Sequence, residues 1–276
     1  MKQKIKIATI DLYNNEPNEG MRCIRDIVNE TATNNSHLDI QYSVFETRFK
    51  GVTPDLDYDI FISSGGPGSP FEGEGTQWEK DYFTLLEKIW NHNQQSDEKK
   101  YIFFICHSFQ MMARFFQIGE VNKRFLNSFG VKQFSKTEDG DKDLILSELT
   151  NPLYAADIRQ WQVVNADYKH LNELGAKILS WEIPEEENKD NPALGAVRIS
   201  NEIVGTQFHP EADPASMLYH FRQKERKEYI INRYGEKVYH QMIEWLEDED
   251  KIKLTRKTVL PSFLNNAINE LLTIKV

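Results

Sequence analysis

The chain has 276 residues, 39% hydrophobic and 12% aromatic, with a formal net charge of −10. That length and apolar content suit one large globular domain, or a domain with an appendage, and exclude a disordered chain. The acidic balance argues against a nucleic-acid surface, and no stretch approaches the ~18 apolar residues of a membrane span.

Ile5 to Asp11 alternates and predicts a first strand, entered without a signal-type apolar segment, and Asn14–Asn18 reads as a loop. Met21, Ile24, Ile27 and Val28 recur at helical spacing, which makes Cys23 a packing residue. Asp39–Phe45 and Tyr58–Ser63 predict two further strands, and a helix runs through Trp78, Phe83, Leu86 and Trp90 after the loop Glu72–Gly75. Tyr101–Ile105 is an unbroken apolar run, the pattern of a strand buried on both faces. It leads through Cys106 directly into a helical pattern at Met111, Met112, Phe115 and Phe116.

The second half is less regular. Residues 119–136 predict strands and turns, Glu138–Lys142 a charged loop, Leu144–Leu149 a helix and Tyr154–Val164 a long strand. Lys177–Ile183, Leu194–Ser200 and Ile203–Phe208 read as strands, with Glu185–Asp190 a solvated hairpin loop between the first two. After Asp213-Pro214 three helical stretches follow, Ala215–Tyr234, Glu236–Glu247 and Pro261–Ile274, with Lys251–Lys257 as a charged linker. The last carries a one-sided stripe of Leu260, Phe263, Leu264, Ala267, Ile268, Leu271 and Leu272. Such a stripe must be covered, by the chain's own sheet or by a partner subunit, a second copy included. Strands alternating with helices predict an α/β fold: an open, mostly parallel sheet with helices on both faces, over residues 1–214. Residues 215–276 form a C-terminal helical extension packed on it or on a partner.

Three stretches carry chemistry. Cys106 stands at the turn between a buried strand and a helix, where the helix N-terminus favours a thiolate over a thiol. Taken alone it reads as a core cysteine. Ser64-Gly65-Gly66-Pro67-Gly68 ends a strand with little side-chain bulk, so its N–H groups can approach a ligand; taken alone it is only a turn. In His209-Pro210-Glu211 an extended chain places histidine and glutamate on one side, the arrangement of a base and its orienting carboxylate. The combination favours a cysteine-nucleophile site, with ligands at the carboxyl ends of the strands.

Together these stretches resemble the class I glutamine amidotransferase family, the triad-type glutaminases with a flavodoxin-like fold, over roughly residues 3–215. The resemblance is to the amidotransferase part of GMP synthase in particular. It implies Cys106 as nucleophile, His209 as base and Glu211 as its orienting group, with the N–H groups of Gly66 and His107 as oxyanion hole. Gly65, Gly68 and Gln110 would then bind substrate, as would Val164 and Asn165 in Trp161–Asp167, where the family often carries a histidine at the position of Asn165. The family's elbow glycines are replaced by Phe104, expected to wall or narrow the pocket, and by Ser108, expected to add strain or a small shift.

The implied activity is hydrolysis of L-glutamine, with ammonia handed to a synthase on a separate chain, in a reducing cytoplasm and without metal or other cofactor. The same residues also suit a hydrolase of γ-glutamyl or other small amides. A non-catalytic interaction protein on this scaffold is the third reading.

Overall fold

The computed structural model describes residues 2–183 and 191–274; the loop expected at Glu185–Asp190 lies outside the described residues. The strands are β1 (Lys4–Ile10), β2 (Asp39–Phe45), β3 (Ile60–Ser63), β4 (Tyr101–Ile105), β5 (Glu120–Ser128), β6 (Val131–Lys136), β7 (Leu153–Ala156), β8 (Arg159–Val164), β9 (Lys177–Glu182), β10 (Leu194–Arg198) and β11 (Ile203–Thr206). The helices are α1 (Gly20–Asn34), α2 (Thr47–Lys50), α3 (Gln77–Gln95), α4 (His107–Phe116), α5 (Glu138–Lys142), α6 (Tyr168–Leu174), α7 (Pro214–Arg222), α8 (Lys224–Tyr234), α9 (Glu236–Glu247) and α10 (Ile252–Ile274).

The main sheet runs β2-β1-β3-β4-β11-β10-β9-β6-β7. Its first five strands are parallel neighbours, and the remaining four add antiparallel. β5 and β8 pair separately as a two-stranded ribbon.

Alternation along β4 explains its unbroken apolar sequence. Tyr101, Phe103 and Ile105 enter the core on one face, with Ile24, Ile27 and Val28 of α1 and Val259, Phe263 and Leu264 of α10. Ile102 and Phe104 enter the other, with Tyr82, Leu85 and Leu86 of α3 and Phe109, Met112 and Phe116 of α4. Phe104 is therefore core and does not wall the pocket at the sulfur. The two-residue period turns it to the α3–α4 face, where the lack of a side chain at Gly205 lets it close in.

The stripe on the last helix is covered by the chain itself. Phe263 meets Phe103 edge to face at 5.2 Å, and Leu260, Ala267, Ile268 and Leu271 are buried in the same core. The helix also begins earlier than expected, so residues 252–257 are helix and not linker, and Pro261 lies inside it. Leu144–Leu149 forms turns, and the expected long strand breaks after Ala156 into β7 and β8, which belong to different sheets. Glu138–Lys142 is a short helix because Thr137 caps it, its side chain accepting from the Gly140 N–H at 3.0 Å. α6 had no apolar period to reveal it; Asp167 caps it in the same way.

α7, α8 and α9 gather a separate cluster around Phe221, Ile230, Tyr239, Met242 and Leu246. Phe129, in the turn between β5 and β6, stacks on Tyr234 at 5.4 Å and on Phe221 at 5.6 Å. That contact sets α8 beside the carboxyl ends of the parallel strands. Among the described residues no helix is long and apolar enough to cross a membrane.

Candidate active site

β1, β3, β4 and β11 all deliver their carboxyl ends to one rim of the sheet, and the chain leaving each contributes to the site. Cys106 follows β4 with φ +49° and ψ −98°, a left-handed backbone that a non-glycine residue holds only where its surroundings enforce it. Here the Cys106 N–H donates to the Thr206 carbonyl at 2.9 Å, and its carbonyl accepts from the Gln110 N–H at 3.1 Å. The sulfur residue is 4% exposed at the start of α4.

Ser108 does not strain this elbow. Its hydroxyl accepts from the Ile105 N–H at 2.8 Å and donates to the Ser63 carbonyl at 2.7 Å, so it bridges β4 to β3. A glycine there could make neither bond.

His209 is held by a backbone hydrogen bond to the Ala156 carbonyl, 2.8 Å, beyond the end of β11. Its Nδ1 lies 2.9 Å from Glu211 Oε1, and Glu211 is 1% exposed. The Cys106 side chain lies near enough to act on the charge of the ring. Burial disfavours the charged imidazole, but the negative charges that Cys106 and Glu211 can carry outweigh it, and the ring is held well above its ordinary pKa. Glu211 is thus bonded to His209, and Cys106 stands within electrostatic reach of the same ring. Tyr13, after β1, closes the far side: a Cβ at Gly65 would stand 3.0 Å from both its hydroxyl and His209 Cε1. Gly65 therefore packs under the imidazole and does not line the cavity.

A cavity of about 290 Å³ opens on Cys106 and is bordered by Gly66, Pro67, Gly68, His107 and Gln110, by Ile158–Trp161, and by Tyr229, Arg233 and Tyr234 of α8. This is near the lower end of ligand-pocket sizes, roughly 300–1,000 Å³. Gly66 faces the Leu12 carbonyl so closely that a Cβ would be 2.6 Å from its oxygen. The His107 N–H begins α4, where helix geometry provides no intrahelical acceptor for it. Gly66 and His107 both line the space beside the sulfur, where backbone N–H groups turned inward could hold a developing oxyanion. The His107 ring itself is buried, and burial together with Arg48 and Arg114 pushes it down to about 3, so it stays neutral.

Gln110 reaches the cavity from α4, but its Nε2 is engaged by the Trp161 carbonyl at 3.0 Å and Gln207 Oε1 at 3.3 Å. Val164 and Asn165 are not at the cavity. They lie at the opposite end of β8, Val164 paired with Glu120 and Asn165 bonded to the Glu120 carboxylate at 2.8 Å. The break after Ala156 turns the start of β8 toward Cys106, so Ile158–Trp161 lines the site in their place.

Sequence reasoning missed three supporting residues. Arg48 of α2 donates to the Leu12 and Pro67 carbonyls at 3.3 and 2.7 Å and so braces the glycine loop. Gln207 is fully buried and ties Gln110 to the elbow. Arg159 is locked by Asp157 at 2.8 Å and by Glu182, which also pairs with Arg124 at 2.7 Å. Each acts through partners far away in sequence or in a part of the chain whose fold was misjudged. A second cavity of about 360 Å³ lies on the other side of His209, bordered by Tyr13, Cys23, Glu211 and Ser216. There burial pushes the Cys23 thiol up to about 11.

A sequence model of the family described as glutamine amidotransferase class-I matches residues 23–224. No curated protein matches the chain. Among solved structures, a glutamine amidotransferase from Thermotoga maritima superposes with a TM-score of 0.65 at 18% identity, covering 96% of this chain and 98% of that one. A glutamine amidotransferase from Methylobacillus flagellatus gives 0.53 at 13% identity, covering 88% and 95%. The glutaminase domain of Trypanosoma brucei CTPS with bound acivicin gives 0.53 at 12% identity, covering 75% and 86%. At these identities the structures support the fold.

Proposed function

Because the chain belongs to the class I glutamine amidotransferase family, we propose that it hydrolyses the side-chain amide of L-glutamine through a thioester on Cys106. The observation that carries this reading is the His209–Glu211 pair, 2.9 Å apart and close enough to Cys106 to share its electrostatics, beside a cavity lined by Cys106, Gly66 and His107. His209 takes the thiol proton, and the sulfur attacks the amide carbon. The N–H groups of Gly66 and His107 receive the negative oxygen. The imidazolium then protonates the departing nitrogen, ammonia leaves, and water hydrolyses the thioester with His209 as base. Glu211 fixes the ring and stabilises its positive charge. The ammonia would go to a synthase on another chain.

The test is release of ammonia and glutamate from L-glutamine, beside a panel of γ-glutamyl and other small amides. Turnover of another amide with none of glutamine would replace this substrate by that one. Turnover of none, with Cys106 unreactive in folded protein, would replace the reaction by a binding role.

The raised pKa of His209 gives the reaction a pH signature. The imidazolium that protonates the leaving group is lost only as pH rises through that raised value, so the alkaline limb of kcat/KM lies well above the ordinary imidazole range. Glu211→Gln removes a charge that sustains the imidazolium. It is expected to lower kcat roughly 10²–10⁴-fold and to move the alkaline limb to lower pH. An unmoved limb would mean that Glu211 does not set the charge of the ring.

A further inference from the structure

The cavity at Cys106 has a roof that the family match does not reach: α8, with Tyr229, Arg233 and Tyr234, lies beyond residues 23–224. Its charges are unequal in their partners. Arg159, on the floor, is compensated by Asp157 and Glu182. Arg233, at the rim, has no carboxylate partner among the described residues. Its Nε only donates to the Tyr234 hydroxyl at 3.3 Å, and its guanidinium lies 5.7 Å from the centre of that ring. Tyr234 is itself fixed by its stacking on Phe129, so Arg233 stands on a braced support. Among the described residues no Asp or Glu borders the cavity. Among the described residues that line it, Arg233 is the cation without a carboxylate partner, and Gly66 and His107 line the same space.

We propose that Arg233 binds the carboxylate of the substrate, which makes the site selective for side-chain amides that keep a free α-carboxylate. The proposal rests on the glutaminase reading and narrows its substrate class. Free glutamine and γ-glutamyl amides with an open α-carboxyl group fit it. Glutamine within a protein chain, whose carboxyl is an amide, loses the contact. The planar fork of an arginine suits a carboxylate, and Arg233 lines the same cavity as Cys106.

The test uses a matched pair of alkylators, N-iodoacetylglycine and its neutral amide. In the acid, four bonds separate the reacting carbon from the carboxyl carbon, as between the amide carbon and α-carboxyl carbon of glutamine. The ratio of their rates at Cys106, acid over amide, is expected to fall about tenfold in Arg233→Gln, the loss of one charge-assisted contact, and to be largely retained in Arg233→Lys. The rate with the neutral amide should stay within about twofold, which reports an intact elbow. With L-glutamine, Arg233→Gln should raise KM about tenfold and leave kcat nearly unchanged, the pattern of lost ground-state binding. A rate ratio unchanged in Arg233→Gln, or equal losses with both reagents, overturns the proposal. Failure of the wild type to hydrolyse glutamine would sink the glutaminase reading instead, and the alkylator ratio would still decide the role of Arg233.

Discussion

Cys106→Ala is expected to abolish glutamine hydrolysis, with kcat falling roughly 10⁴–10⁶-fold, the usual cost of removing a nucleophile from a connected triad. The same substitution should remove the fast phase of iodoacetamide labelling at neutral pH. The remaining cysteine is buried, and its thiol is pushed up to about 11, so few Cys23 molecules are thiolate at any moment. Peptide mass spectrometry after a brief pulse should find label on Cys106 alone in the wild type, and L-glutamine should slow it. Residual hydrolysis within a hundredfold of wild type would take the sulfur out of the mechanism. The fold should survive the change, because the elbow is held by backbone bonds to Thr206 and Gln110 and by the Ser108 hydroxyl, none of which needs the thiol.

Gly66→Ala should do nearly as much damage without touching a reacting side chain. The new methyl would lie 2.6 Å from the Leu12 carbonyl oxygen and 3.4 Å from the His107 ring, closer to backbone than a Cβ can stay. The loop must move, and its N–H moves with it, away from where the oxyanion develops. Loss of one such donor typically costs about 10²–10³ in kcat. Cys106 labelling by iodoacetamide should continue, since alkylation forms no oxyanion. The forced shift should also lower stability by about 1–3 kcal/mol, measurable in urea. A kcat within threefold of wild type would show that the Gly66 N–H does not serve the reaction.

The parallel half of the fold was legible because its strands and helices keep clean periods. β4 is apolar on both faces, and the α1 and α4 patterns differ from it unmistakably. Cys106, His209 and Glu211 could be read as a candidate set because Cys106 directly follows a parallel strand and an extended His-Pro-Glu puts two side chains on one side. The antiparallel half was harder. Tyr154–Val164 reads as one strand, and only tertiary packing reveals that Asp157 and Ile158 turn the chain from one sheet to another. That turn is why Val164 and Asn165 were expected at the cavity while Arg159–Trp161 lines it. The stripe on α10 announced burial but not what would cover it. Arg48 and Gln207 were illegible for a different reason: each works through contacts distant in sequence, which no local pattern encodes.

The Ser108 hydroxyl joins the strand that carries the nucleophile to the strand that carries the glycine loop, bonding both in a single bridge. Thiol and loop are thereby mounted on one stiff frame. Drift that would part them has to break a buried hydrogen bond to that hydroxyl. The chain has exchanged the pliancy of a glycine for a rivet.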